Sequence, residues 1–247
     1  MTTATNTKVF YLIIGSGRVA RHMAHYFHQL NIHFESWDRS QDPHVLARKV
    51  SSATHVLLAI SDQALEGFYR QHLLGHDKVV VHFSGAHHFP EMIAAHPLMT
   101  FGATWYELAL YKKIHFVLTG STALAEALPG LPNSFSPLPA EQKSLYHAYC
   151  VLGGNFVTLL INKMLEGLSS LNIPPEAAEV YVQQTVQNTL AQSHRALTGP
   201  LARKDVQTVQ KNIEALTQDP YQQIYQAFLQ VHWPDYPRKD NHHENRS

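Results

Sequence analysis

Cysteine is nearly missing from this chain. Its 247 residues hold one, Cys150, so no internal disulfide can form and a reducing compartment is expected. An excess of either charge is missing too. The 19 Lys and Arg balance the 19 Asp and Glu, which removes any bulk attraction to nucleic acid or an anionic membrane surface. No uninterrupted apolar run approaches the ~20 residues that span a bilayer. The start, MTTATNTK, has neither the apolar centre nor the cleavage pattern of a signal peptide. A cytoplasmic protein with neither nucleic acid nor membrane as partner is the expectation. What the chain does have is apolar material, 45% of its residues, enough for a sizeable core in one large domain or two ordinary ones. It also has 18 histidines. His82, His87, His88 and His96 stand close in sequence, but their spacing matches no ligand motif and no Cys or carboxylate joins them, so no metal is expected.

The most informative stretch is Val9–Ala20, VFYLIIGSGRVA. Six apolar residues read as a buried strand, and Arg21–Leu30 reads as the helix that follows. Between them, Gly15 permits a tight turn, Gly17 lets a diphosphate approach bare backbone, and Ala20 fills the third small position, where helix must pack on strand. With Ser16, Arg18 and Val19, these residues form an expected dinucleotide site that uses the free N–H groups of the helix N-terminus. A second strand, His33–Trp37, ends at Asp38, Arg39 and Ser40, about where this fold meets an adenosine ribose. A carboxylate there suits the two hydroxyls of NAD. A guanidinium and a hydroxyl suit a 2′-phosphate, and the reading leans to NADP with NAD possible.

Three more strands follow. Thr54–Ile60 ends at Ser61 and Asp62, Lys78–Phe83 ends at Ser84 and Gly85, and Ile114–Leu118 ends at Thr119. C-terminal strand ends line the ligand crevice of a doubly wound sheet, so Ile60, Ser61, Asp62, Ser84 and Gly85 are expected beside a cofactor. Asp62 can equally cap the helix after it. His96, held extended by Pro97, follows a short helix and should pass the nicotinamide end. Past Pro139 the alternation stops and helix follows helix: Ala140–Leu171 with a kink at Gly153-Gly154, Glu176–Leu197 broken by Gly199-Pro200, Asp205–Leu216 with Asp205 as cap, and Pro220–Val231. The fold expected is α/β, an N-terminal Rossmann doubly wound, mainly parallel sheet over residues 1–138 and an all-helical domain over 139–232. A frayed tail over 233–247 is expected to follow. The helical part is small for its own core, which points to a homodimer through it.

Five motifs together, GSGRVA, SGA, HPLMTF, YHAYCVLGGNF and LTGPLARKD, resemble Rossmann-like proteins that carry the domain DUF2520. That family is similar in layout to pyrroline-5-carboxylate reductase, F420-dependent NADP reductase and the β-hydroxyacid dehydrogenases. The resemblance implies an NAD(P)-dependent oxidoreductase whose helical domain contacts a small-molecule substrate, with ketopantoate (2-dehydropantoate) the leading acid. A cyclic imine reductase and a non-catalytic NADP-binding sensor or scaffold are the rivals. In β-hydroxyacid dehydrogenases a Lys and an Asn four residues apart do the polar work. Here Asn155 stands for the Asn, but Val151 stands where the Lys would be.

His147 is the nearest polar substitute, about 80° from Asn155 around a helix, hence on one broad face. His147, Asn155 and His96 are the expected catalytic residues. Arg203, at a helix junction, is the expected clamp for a substrate carboxylate, unless it pairs with Asp205.

Overall fold

Strands β1 (Tyr11–Ile14) and β3 (His55–Leu58) are buried along their whole length, as strands covered on both faces must be. The computed structural model describes residues 9–237 and arranges the first part of the chain as a three-layer α/β unit. Around those two strands come helix α1 (Arg18–Gln29), strand β2 (Phe34–Trp37), helix α2 (Pro43–Ser52), helix α3 (Asp62–His72) and strand β4 (Val79–His82). Then follow β5 (Ile93–Pro97), α4 (Leu108–Tyr111), β6 (Phe116–Thr119), α5 (Leu124–Ala127) and β7 (Phe135–Pro137). The seven-stranded sheet runs β2-β1-β3-β4-β5-β6-β7. It is parallel from β2 to β5, and β6 pairs antiparallel to β5. The chain therefore reverses its direction of travel across the sheet at β1, and the crevice opens there.

Alternation along β1 builds both layers. Tyr11 and Ile13 pack with Met23, Tyr26 and Phe27 of α1, while Leu12 and Ile14 pack with Leu46, Val50 and Leu65 of α2 and α3. Buried Asn133 pins the first layer: its amide oxygen accepts from Tyr26 Oη at 2.7 Å, and its Nδ2 donates to the Tyr111 and Ile114 carbonyls.

The fold class is the one expected, with differences in detail. The helix expected before His96 is absent, because Ile93–Pro97 is a strand. Its alanines 94 and 95 are fully buried between β4 and β6, and this pairing overrides the weak strand propensity of Ala. The chain divides into compact units at residues 159 and 160, later than the expected 138, because the first half of the long helix packs on the sheet. That helix begins with a 3₁₀ turn and runs through α6 (Lys143–Cys150), a π-helical segment (Val151–Phe156) and α7 (Val157–Ser170). The Gly153-Gly154 pair, where a kink was expected, lies in this π segment. By length and composition alone Ala140–Ser170 could cross a membrane. Single-run counting overlooked it because scattered polar residues interrupt the sequence.

In the second unit, α8 (Pro175–Gln192) is followed by a 3₁₀ turn, α9 (Gly199–Arg203), α10 (Val206–Ala215) and α11 (Tyr221–His232). Asp205 caps α10 as expected, its carboxylate accepting from Thr208 N at 3.1 Å. Gly199-Pro200 opens a helix as well as ending one, since proline suits a first turn. Trp233, expected in the tail, is buried against Val209 and Leu229, with Tyr236 packed on them. The rest of the expected tail, 238–247, lies outside the described residues.

Candidate functional site

Gly15 leaves β1 at a φ of +124°. A Cβ there would lie 2.3 Å from the Ala59 carbonyl oxygen, so the turn admits only glycine. Gly17 is different. Its φ is an ordinary −70°, and a Cβ would meet nothing within 4 Å. Nothing in the protein itself requires glycine at 17, whereas a group lying on the backbone there would. Gly17 is also the N-cap of α1, with no side-chain cap and no acid in the first turn, so its N–H groups and partial positive charge face outward. A diphosphate fits this cradle.

The cradle is one wall of a cleft of about 740 Å³. Gly15, Ser16, Gly17, Arg18 and Val19 line it, with Asp38 and Arg39 just after β2, Ile60 and Ser61 from the turn after β3, Asp62 at the start of α3, and Ser84 just after β4. Among the expected cofactor residues, Ser40 and Gly85 do not line it. The Ser40 hydroxyl donates to Asp38 Oδ1 at 2.5 Å, and its N–H donates to the same oxygen at 2.9 Å. Those bonds hold the Asp38 carboxyl below the usual carboxylate range. Arg39 is exposed beside them. Asp62 is not the helix cap. Ser61 takes that position, and Asp62 Oδ2 instead accepts from Ser84 Oγ at 2.9 Å.

Beyond Ser84 the site is built of side chains. The Ser84 hydroxyl accepts from the Ala86 and His87 N–H groups, and its carbonyl accepts from Lys143 Nζ at 2.8 Å. Lys143 is buried, 1% exposed. Burial pushes its ammonium down to about 8, and the Asp62 and Cys150 charges offset part of that fall. One turn on, Tyr146 Oη is 2.6 Å from His96 Nδ1, and burial raises the phenol's pKa. His147 lies edge-on to His96, centroids 6.0 Å apart. A Cβ on Gly85 would come within 2.4 Å of His147 Nδ1 and 3.0 Å of His96 Nε2, so only glycine lets both rings approach. Burial, with the Lys143 and His147 charges, lowers the His96 imidazolium to about 4. His82, fully buried under the same loop, falls to about 3, chiefly by desolvation.

The structure thus gathers Ser84, Gly85, His96 and His147 with Asp62. Asn155 stands apart: it is exposed, and its place is within the π-helical backbone rather than beside His147. The helical angle that joined it to His147 does not hold across a π segment, whose turn is wider. Arg203 ends α9 in the second unit, exposed, with its charge acting on Asp205. Lys143 and Tyr146 were missed. Their signal was present: Lys143, Tyr146, His147 and Cys150 recur at helical spacing, one titratable stripe on an otherwise apolar segment.

Residues 115–231 match a family described as a domain of unknown function, DUF2520. No curated protein matches the chain. Solved structures with this fold include one from Bacteroides fragilis described as a candidate NADP oxidoreductase. It is 18% identical and covers 91% of this chain and 97% of its own, with a TM-score of 0.75. Another is Plasmodium falciparum pyrroline carboxylate reductase with NADP bound, 11% identical over 91% and 99% of the chains, TM-score 0.57. A third is the reductive aminase from Aspergillus terreus in complex with NADPH and ethyl levulinate, 14% identical over 91% and 95%, TM-score 0.53. At these identities the likeness is one of fold.

Proposed function

We propose that the chain is an NADP-preferring reductase of a small 2-oxo acid, working in the cytoplasm. The observation that carries this reading is the buried Lys143 ammonium, held by the Ser84 carbonyl at the far end of the cleft that starts with the bare Gly17 backbone. Burying an ammonium is costly, and a protein that only bound a nucleotide would gain nothing from it. The names of the structural neighbours, which include an NADP-bound reductase and an NADPH-bound reductive aminase, support the same cofactor.

The N–H groups at the start of α1 would hold the diphosphate, with Arg39 pairing a 2′-phosphate at the other side of the adenosine. When bound, NADPH supplies hydride from its nicotinamide ring. Lys143 polarises the acceptor carbonyl and hands its proton to the oxygen as hydride reaches the carbon, giving a hydroxy acid, and solvent restores the lysine's proton. The same positive charge draws a carboxylate into the site and repels a protonated imine, which favours the 2-oxo acid over a cyclic imine. Ketopantoate is the first acid to try.

Helix α8 buries one residue, Ala178, while Val180, Tyr181 and Leu190 are 66–83% exposed. A homodimer through the helical unit would cover them, and light scattering would register it.

The test is to mix protein and NADPH with a panel of 2-oxo acids and cyclic imines and follow cofactor oxidation. Reduction of an acid supports the reading. Reduction of imines alone replaces it with the imine reductase, and binding without turnover leaves a sensor.

A further inference from the structure

A buried neutral imidazole carries one proton, and the partner of one ring nitrogen decides what the other nitrogen can do. His96 Nδ1 lies 2.6 Å from Tyr146 Oη, and the rings meet edge to face with centroids 5.5 Å apart. The phenol has one proton to give, and a neutral imidazole nitrogen is a stronger acceptor than a phenol oxygen. The phenol proton therefore points to Nδ1, and the ring proton of His96 is left on Nε2. That nitrogen has no hydrogen-bond partner among the described residues, and it faces the backbone at Gly85, where a Cβ would stand 3.0 Å away.

We propose that Tyr146 is a positioning residue: it locks His96 in the Nε2–H tautomer, so that a neutral imidazole presents a fixed hydrogen bond to the oxygen of the acceptor carbonyl. The proposal rests on the reductase reading for its use, though not for the tautomer itself. It divides the work at this end of the cleft. Lys143 carries the transferable proton. His96 stays neutral at physiological pH because burial and the facing charges of Lys143 and His147 oppose an imidazolium, against the pull of Asp62. It therefore contributes direction and not charge, as a preorganised donor does. Glycine at 85 keeps the approach to Nε2 open.

The test is nitrogen-15 NMR of histidine-labelled protein at neutral pH, without substrate. His96 should show an unprotonated Nδ1 and a protonated Nε2. In Tyr146→Phe that preference should relax toward a mixture of both tautomers. The turnover number should fall about 10- to 100-fold, the usual cost of losing a histidine's orienting partner, with KM for NADPH unchanged.

A second pair of variants keeps the proposal testable if Tyr146→Phe folds poorly. His96→Gln can still present an amide N–H and should retain about tenfold more turnover than His96→Leu. A wild-type His96 carrying its proton on Nδ1 would overturn the proposal. So would a Tyr146→Phe protein with unchanged tautomer and turnover, or equal turnover in the Gln and Leu variants. If the tautomer is as stated but no acid is reduced, the reductase reading fails while the positioning role of Tyr146 stands.

Discussion

The two ends of the cleft are made of different material. At one end, Gly15 to Val19 present backbone: a turn forced by a close carbonyl and a helix start with nothing capping it. At the other, Ser84 lines the cleft just after β4, and behind it the side chains of Lys143 and Tyr146 from α6 bond to Ser84 and to His96 of β5. The first end is made of one strand–turn–helix unit and needs only the neighbouring strands β2 and β3 to form. The second exists only once the sheet and the long helix have packed. Binding at the first end and chemistry at the second should therefore be separable by mutation.

The largest effect should come from Lys143→Met. Turnover should drop about 10²- to 10⁴-fold, the range for losing a positioned proton donor, while NADPH binding measured by fluorescence barely moves. In the wild type, kcat/KM should fall as pH rises through about 8, where Lys143 loses its proton. An activity flat from neutral to alkaline pH would remove the lysine from the chemistry.

Next is Gly15→Ala. Left-handed backbone and a Cβ at 2.3 Å from a carbonyl oxygen should cost about 2–4 kcal/mol in urea unfolding. An unchanged midpoint would mean the turn can relax.

The glycine loop, the strand ends and the order of helices were legible because each rests on local pattern: a buried run, small residues at 15, 17 and 20, and a carboxylate at the end of the second strand. Eleven of the thirteen expected cofactor residues line one cleft. The side-chain end was half legible. His96 and His147 were picked singly, but β5 was not seen as a strand, so nothing in the sequence placed His96 against α6. The spacing of β-hydroxyacid dehydrogenases points to the position four residues before Asn155, whereas the buried lysine of this helix, Lys143, lies twelve residues before it, ahead of the π segment. A non-local pairing and an altered helical period are the two things that windowed periodicity cannot register.

Acid stability sharpens the contrast between the ends, because only the side-chain end buries titrating groups. His82 and His96 sit at about 3 and 4 in the folded protein against an ordinary 6.5. Below 6.5 the unfolded chain binds protons that the native site refuses, so stability falls as pH drops from 6.5 toward 4. The slope should approach about 1.4 kcal/mol per pH unit for each histidine. Urea midpoints across that window should show it, and His96→Gln should flatten the slope. A smaller change belongs to the adenosine side. Arg39→Ala should weaken NADPH by about tenfold and leave NADH alone, and equal loss of both would return the preference to Asp38.

The most direct measurement is a calorimetric titration of NADPH into the wild type and into Gly17→Asp, alongside their unfolding curves. An aspartate at this position has open space around it and makes a better helix cap than glycine, so the variant should be as stable as the wild type or more so. Its carboxylate would occupy the place of the diphosphate and repel it, so NADPH should bind the wild type saturably and the variant at least about 100-fold more weakly. Equal binding by the two proteins, or none by either, would contradict a diphosphate resting on this backbone.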